Sequence, residues 1–234
     1  MKNYLRILAI VLLATGVAPG CKKDSNSPNP TCRIITALAG SAQTNFAYNS
    51  SGELISISSG ALTTSLAYSG NTVIAVSTNA GVFQKKKIIT LNSNGLASNA
   101  RIETDAAGTV WENYVYEYNG SELIKLTQTN SAGGAPDITT CTWSGGILIS
   151  SSSSAGVTTF GYYTDKAAQE GDYLLLSQLV DGYQIFRNKN AVKSLSFGSN
   201  ITNFDYAIDA DGKITSVAIT GSSSASFAYQ YECK

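Results

Sequence analysis

Residues 46–57 read Phe-Ala-Tyr-Asn-Ser-Ser-Gly-Glu-Leu-Ile-Ser-Ile, and this stretch indicates how most of the chain folds. Phe46 and Tyr48 flank a small residue, which places two large side chains on one face of an extended strand. Residues 49–52 follow, and Asn and Gly adopt the left-handed backbone conformations that reverse a chain. Two apolar residues three positions apart then begin the next run. The stretch therefore predicts a β-hairpin.

The same pattern recurs along the chain. Large side chains at every second position occur in Phe46-Ala-Tyr48, Leu66-Ala-Tyr68, Tyr114-Val-Tyr116-Glu-Tyr118, Phe204-Asp-Tyr206 and Phe227-Ala-Tyr229-Gln-Tyr231. Turn sequences occur at residues 49–52, 69–71, 92–95, 105–108, 119–120, 144–146 and 209–212. These reversals predict an all-β protein whose strands form an antiparallel meander. We expect a barrel-like sheet, open or closed, that shares one hydrophobic layer.

One segment, residues 172–181, departs from the strand pattern. Asp172 is a candidate N-cap and Gly182 a stop signal, so we predict a short helix there. Its apolar positions are Leu175, Leu176, Leu179 and Val180. We expect this helix, with the apolar residues of 183–186, to fill the concave side of the sheet. The alternative is a buried strand, because short apolar runs are ambiguous.

The first residues indicate export. Residues 1–20 combine Lys2 and Arg6 with an apolar run at 7–14, which is too short to span a bilayer and typical of a signal peptide. Ala18-Pro19-Gly20-Cys21 resembles a bacterial lipobox, so we predict a lipid anchor on Cys21. Residues 21–31 would form a flexible tether, and residues 32–234 a single β-meander domain. The alternative is ordinary secretion, with Cys21 free or disulfide-bonded.

Three cysteines remain if Cys21 is acylated, which is an odd number in an oxidising compartment. Cys32 and Cys233 could face each other and form a disulfide if the first and last strands are antiparallel neighbours. The alternative is that these two and Cys141 are small buried apolar residues.

The composition excludes several classes of function. The chain has 234 residues, 43% of them hydrophobic and only 14% charged, with 16 basic and 16 acidic residues. This balance lacks the positive field of a nucleic-acid-binding protein. There is no histidine, which excludes catalytic triads and metal sites built on imidazole. We expect no cofactor, no metal and no nucleic-acid partner.

The hairpin at residues 46–57 and its echo at 204–217 resemble the tyrosine- and glycine-rich hairpin repeats of RHS/YD proteins. The lipobox, the early Cys32 and the ending Tyr229-Gln-Tyr231-Glu-Cys233 are more closely similar to a family of secreted bacterial lipoproteins of unknown function with a porin-like fold. The resemblance covers residues 32–234. It implies the architecture and brings no catalytic residues with it.

Some charged residues could serve in catalysis or in ligand binding, but each also has a simpler structural interpretation. Paired carboxylates can hydrolyse a glycosidic bond, and the acidic residues that lie near one another in sequence are Glu103, Asp105, Glu112, Glu117 and Glu122. Solvated hairpin side chains explain them more simply. Asp205, Asp209 and Asp211 could bind calcium, although a plain reverse turn is the better interpretation. Lys85–Lys87 could meet an anionic lipid, but lysines commonly protect the edge of a sheet.

We therefore predict a membrane-anchored envelope lipoprotein that is not an enzyme and acts as a binding or scaffolding module for a glycan or an envelope protein. Aromatic side chains are the candidate binding surface, although most of them should be core. Lys22 and Lys23 follow Cys21 where surface-exported lipoproteins carry acidic residues, which favours the periplasmic face of the outer membrane. The alternatives are a carboxylate-dependent glycoside hydrolase and an outer-membrane channel. Several runs are too short or too rich in serine for the channel.

Overall fold

The computed structural model describes residues 32–222 and 224–233, where one antiparallel sheet closes into a barrel. Its sixteen strands are β1 (Cys32–Ala39), β2 (Ala42–Tyr48), β3 (Leu54–Ser59), β4 (Leu62–Ser69), β5 (Thr72–Asn79), β6 (Val82–Leu91), β7 (Ala97–Glu103), β8 (Trp111–Asn119), β9 (Glu122–Asn130), β10 (Asp137–Ser144), β11 (Ile147–Ser153), β12 (Gly156–Ala167), β13 (Asn190–Phe197), β14 (Asn200–Ile208), β15 (Ile214–Gly221) and β16 (Ala225–Cys233). Helix α1 (Tyr173–Asp181) lies between β12 and β13. The predicted meander and the predicted helix are both confirmed.

Each strand pairs with its neighbours in sequence, and β16 pairs with β1 to close the barrel. The odd-numbered strands therefore begin, and the even-numbered strands end, at the same end of the barrel. We call this end the helix rim, because α1 and its flanking segments join β12 to β13 there. In the described part of the chain, no helix is long and apolar enough to cross a bilayer.

Three turns at the helix rim share one hydrogen-bonding pattern, which explains why the same residue types recur. The Oδ1 atom of Asn49 accepts hydrogen bonds from the backbone N–H groups of residues 51 and 53. Asn92 and Asp209 do the same with residues 94 and 96 and with residues 211 and 213. In each turn, the glycine three residues after the Asn or Asp has a left-handed φ.

Several short turns at the opposite end were not among the turn sequences recognised above. β1 and β2 are joined at Gly40, and β3 and β4 at Gly60, with φ of 59° and 57°. A lone glycine beside Ser or Ala carries a weaker turn signal than an Asn-Gly or Asp-Gly pair. The meander consequently has more strands than the recognised turns indicated.

Apolar side chains from around the barrel meet in one core. Its large members include Phe46, Leu66, Ile89, Tyr116, Leu123, Phe204 and Val217. Leu174 and Leu176 of α1 join the same cluster, as does Phe186 beyond the helix. The helix thus fills interior space as predicted, but with a different face. Leu174 is buried, whereas Val180, expected to be apolar core, is 50% exposed.

The lysine run does not protect a sheet edge, because β6 lies between β5 and β7 in a closed barrel. Lys86 forms an ion pair with Glu103 on β7, with a nitrogen–oxygen distance of 3.4 Å. Lys87 is only 5% exposed and reaches α1 instead. The edge-protection interpretation was wrong, since it assumed an open sheet.

The aromatic residues at the ends of even-numbered strands bridge strands that no longer pair. Tyr48 donates its hydroxyl hydrogen to the carbonyl oxygen of Ile34 at 2.9 Å, beyond the end of the β1–β2 ladder at Thr36. Tyr68 bonds in the same way to the carbonyl of Leu54 at 3.0 Å. Equivalent bonds run from Tyr118 to Ala97, from Trp143 to Leu123 and from Tyr231 to Ile214.

These bonds explain why aromatic residues recur at the ends of the even-numbered strands. Five hairpins whose turns lie at the far end lose their ladder hydrogen bonds before they reach the helix rim. The aromatic side chain fills the resulting gap and satisfies a carbonyl that the neighbouring strand has left. Burial raises the pKa of Tyr48 and of Tyr68, so both hydroxyls stay protonated and able to donate.

We expect Tyr68→Phe to lower the free energy of unfolding by about 1–3 kcal/mol, because the Leu54 carbonyl would lose its partner. Denaturant unfolding measures this. The control is Tyr173→Phe, since the Tyr173 hydroxyl has no hydrogen bond within the described residues. Equal stability of the two variants would contradict a bridging role for Tyr68.

Candidate binding cavity

A cavity of about 350 Å³ opens at the helix rim, between α1 and strands at the start of the chain. Strands β1 to β6 contribute the walls on one side, and α1 with its flanking residues contributes the other. The residues that line it include Ile34, Leu54, Tyr68, Leu175, Leu179 and Tyr183. This volume is at the low end of the roughly 300–1,000 Å³ typical of ligand pockets.

The cavity wall is mainly apolar, and its tyrosine hydroxyls are already occupied. Tyr48 and Tyr68 donate to backbone carbonyls, as described above. The Tyr183 hydroxyl lies 3.3 Å from that of Tyr116. These tyrosines therefore present mainly their rings to a ligand.

Of the described residues that line the cavity, Glu170 alone is charged. Its Oε2 atom accepts a hydrogen bond from the backbone N–H of Ile34 at 2.6 Å. Desolvation raises the pKa of the Glu170 carboxyl, whereas this N–H group and the Arg33 guanidinium lower it. The wall thus offers one acidic group beside an otherwise apolar surface.

The N-terminal end of α1 is held by a buried carboxylate. Asp172 is 2% exposed, and its Oδ1 caps the helix by accepting from the N–H groups of Leu174 and Leu175. Its Oδ2 accepts from Val192 N–H on β13 at 2.7 Å and from the Tyr206 hydroxyl on β14 at 3.2 Å. One side chain therefore caps the helix and fastens it to two strands. Burial raises the pKa of Asp172, although these hydrogen bonds oppose the rise.

The C-terminal end of α1 is held by the buried lysine of β6. Lys87 Nζ donates to the carbonyl oxygen of Asp181 at 2.8 Å and to its carboxylate at 3.0 Å. A cation at this end also complements the helix dipole. Burial lowers the pKa of Lys87, and Asp181 counteracts that effect. Gln178 then accepts from the N–H groups of Ile185 and Phe186, which folds the following segment onto the helix.

Both ends of the barrel domain meet at the helix rim. The structure joins Cys32 to Cys233 by a disulfide that links residues 201 positions apart, and Cys141 is free. In the chain-entropy model, closing such a loop stabilises the fold by about 5 kcal/mol. Arg33 pairs with Glu232 beside it at 2.8 Å. Cys21, the predicted acylation site, lies outside the described residues.

The acidic residues considered for hydrolysis are not gathered in one cleft. Glu117 accepts a hydrogen bond from Lys125 on one face of β8. Glu112 accepts a hydrogen bond from Tyr114, and these two residues share the other face. Glu103 binds Arg101, which lowers the pKa of its carboxyl. Asp105 closes its own turn through Thr109 and Val110, and these bonds lower its pKa. Glu122 begins β9 at a turn.

The acidic residues near the end of the chain have separate contacts. Asp209 organises its turn, and Asp211 pairs with Lys213. Asp205 accepts a hydrogen bond from the Tyr163 hydroxyl. Across the part of the chain that the structure describes, no three His, Cys, Asp or Glu residues form a group able to hold a metal.

The cavity itself was missed by sequence reasoning, although its helix was found. Leu175, Leu176 and Leu179 were all assigned to the filling of the sheet. Only Leu176 is fully buried, and all three line the cavity. The sequence shows which residues are apolar, but not whether opposing strands approach closely enough to cover them.

The fold is similar to that of two solved structures. The crystal structure of a porin-like protein from Bacteroides uniformis matches with a TM-score of 0.64 and 18% sequence identity, over 88% of this chain and 99% of that chain. A porin-like protein from Bacteroides vulgatus matches with a TM-score of 0.57 and 12% identity, over 85% and 98% of the chains. At these identities, the likeness concerns the fold alone. No protein-family model and no curated protein matches the sequence.

We expect Asp172→Asn to destabilise the protein although the side chains have the same shape, because the amide nitrogen would face a hydrogen-bond donor at Val192 or Tyr206. The loss should also depend on pH. The pKa of the Asp172 carboxyl is higher in the folded protein than its value of about 3.9 in the unfolded chain. Its contribution to the free energy of unfolding therefore falls as the pH rises from about 3.9 towards the folded-state pKa.

The difference in unfolding free energy between the natural protein and Asp172→Asn should therefore be largest in acid and shrink as the pH rises. Denaturant titrations between pH 4 and pH 8 measure it. A difference that grows with pH would show that the hydrogen bonds outweigh burial at Asp172.

Proposed function

We propose that this protein is an envelope lipoprotein, anchored through Cys21, whose barrel is a non-enzymatic binding module. The cavity beside α1 is the proposed binding site, and it is the observation that carries the proposal. An apolar pocket with one charged group at its wall is the usual form of a small-ligand site. The separate placement of the acidic residues supports a function in binding rather than in hydrolysis.

The envelope location is supported by two independent features. The sequence at residues 1–21 has the charge, apolar run and cysteine of an exported, acylated precursor. The barrel resembles proteins from Bacteroides that are described as porin-like. Lys22 and Lys23 favour the periplasmic face of the outer membrane. An acylated Cys21 would then hold the barrel at this membrane without any spanning segment.

The character of the cavity favours an apolar ligand over a glycan. Sugars are held by several free donors and acceptors, whereas the hydroxyls of Tyr48 and Tyr68 are already bonded to the backbone. Trp143 packs edge-on against Phe186 in the interior. Trp111 stacks with the Arg101 guanidinium, 4.6 Å from the ring centroid. An envelope-protein partner would have to use the outer surface.

A channel is less well supported, because it needs an outward apolar belt and an open interior. The outward residues of β2, β4 and β16 are polar or small: Gln43, Asn45, Ala47, Ser65, Ala67, Ser69, Ser226, Ala228 and Gln230. Exposed isoleucine and valine residues occur on other strands, so they do not complete a belt. Apolar core side chains and α1 occupy the interior.

We expect Cys21→Ser to abolish acylation and to move the protein out of the membrane fraction. Fractionation of cells that express the full chain, with mass spectrometry of its N-terminal peptide, measures both effects. Cys141→Ser is the matched control and should remain in the membrane fraction. An unmodified Cys21 in the natural protein would refute the anchor.

The uncharged fluorophore N-phenyl-1-naphthylamine tests the cavity. We expect it to bind the full chain, and Leu179→Trp to reduce its affinity at least ten-fold by filling the cavity. Val180→Trp adds the same ring on the exposed side of α1 and should bind as the natural protein does. Equal binding by both variants would place the site elsewhere, and glycan and envelope-protein pull-downs would then test the outer surface.

A further inference from the structure

We propose that the occupant of the cavity is one acyl chain of a membrane lipid. This inference rests on the proposed function, since it takes the cavity as the binding site and Cys21 as the anchor. It adds the identity of the ligand and the direction from which the ligand enters.

The position of the cavity is the first argument. Its walls include the rim turns at Gly52 and Gly95 and the segment at Glu170 and Gly171. They also include Ile34, two residues after the disulfide-bonded Cys32. The chain therefore enters the barrel at the same end at which the cavity opens. Residues 21–31 can span at most about 40 Å, so an acylated Cys21 keeps this end within that distance of the bilayer surface.

The chemistry of the wall is the second argument. Leu54, Leu175 and Leu179 offer flexible aliphatic surface, and the rings of Tyr48 and Tyr68 add flat apolar surface. A hydrocarbon chain needs no hydrogen-bond partners, so it suits a wall whose hydroxyls are already bonded. A polar ligand would leave its own groups unpaired there.

The limits of the cavity are the third argument. A volume of about 350 Å³ suits one short segment of chain rather than a whole lipid. The headgroup would stay at the rim, where Glu170 can accept a hydrogen bond from an ammonium or hydroxyl group. We therefore expect the acyl end to lie against α1 and the polar end to remain in solvent.

A photoreactive lipid tests this directly. The full chain, reconstituted into nanodiscs of phosphatidylethanolamine and phosphatidylglycerol, is irradiated with a trace of phosphatidylethanolamine that carries a diazirine at the end of one acyl chain. Mass spectrometry should locate crosslinks on peptides that contain Leu54 and Leu175. Leu179→Trp should lose at least nine-tenths of this labelling, and Val180→Trp should retain it.

A series of 1-alkanols gives an independent measurement. Each added methylene should raise the affinity about four-fold, the equivalent of ~0.8 kcal/mol, until the cavity is full. Longer chains should then show no further gain. If Leu179→Trp fails to fold, as judged by its unfolding midpoint, Leu175→Phe replaces it in both experiments.

The outcomes separate this inference from the proposed function. Labelling confined to outward-facing strands, or equal labelling of the two tryptophan variants, would overturn the lipid assignment. If the naphthylamine still binds in the cavity in that case, the binding function stands with another apolar ligand. If neither the fluorophore nor any alkanol binds, both proposals fail.

Discussion

The fold depends on how the strands are held together at the helix rim, where five of the hairpins have lost their ladder hydrogen bonds. There, aromatic side chains at the ends of even-numbered strands donate to carbonyls of the preceding strands, as Tyr68 does to Leu54. A backbone carbonyl without a partner is costly inside a protein, so these bonds allow the strands to separate without that cost.

The separated strands make room for α1, and two buried charged residues hold the helix in that space. Asp172 links the start of the helix to β13 and β14, and Lys87 of β6 binds its last residue. A buried charge is tolerated only when it has partners, so the placement of α1 is specific rather than a general consequence of hydrophobicity. The cavity is the space that the helix leaves unfilled beside β1 to β6.

The order of the elements was predictable because local chemistry determines it. A dozen residues around the Asn49 turn, with Phe46 and Tyr48 in alternation, are enough to predict a hairpin. Asp172 and Gly182 likewise mark the two ends of the helix. The binding site was not predictable in the same way. Lys87 looked like a surface lysine, and Leu175 and Leu179 looked like core, since their surroundings come from strands far away in the chain.

The amino-acid sequence by itself determined the meander of strands and turns and the helix with its caps, and it predicts export and acylation from residues 1–21. These depend on interactions between residues close together in the chain. Only the tertiary structure decided that the sheet closes through β1 and β16, that Cys32 meets Cys233, and that a cavity remains beside α1. Closure and cavity volume depend on the sum of many strand pairings and packing contacts, which no local segment contains.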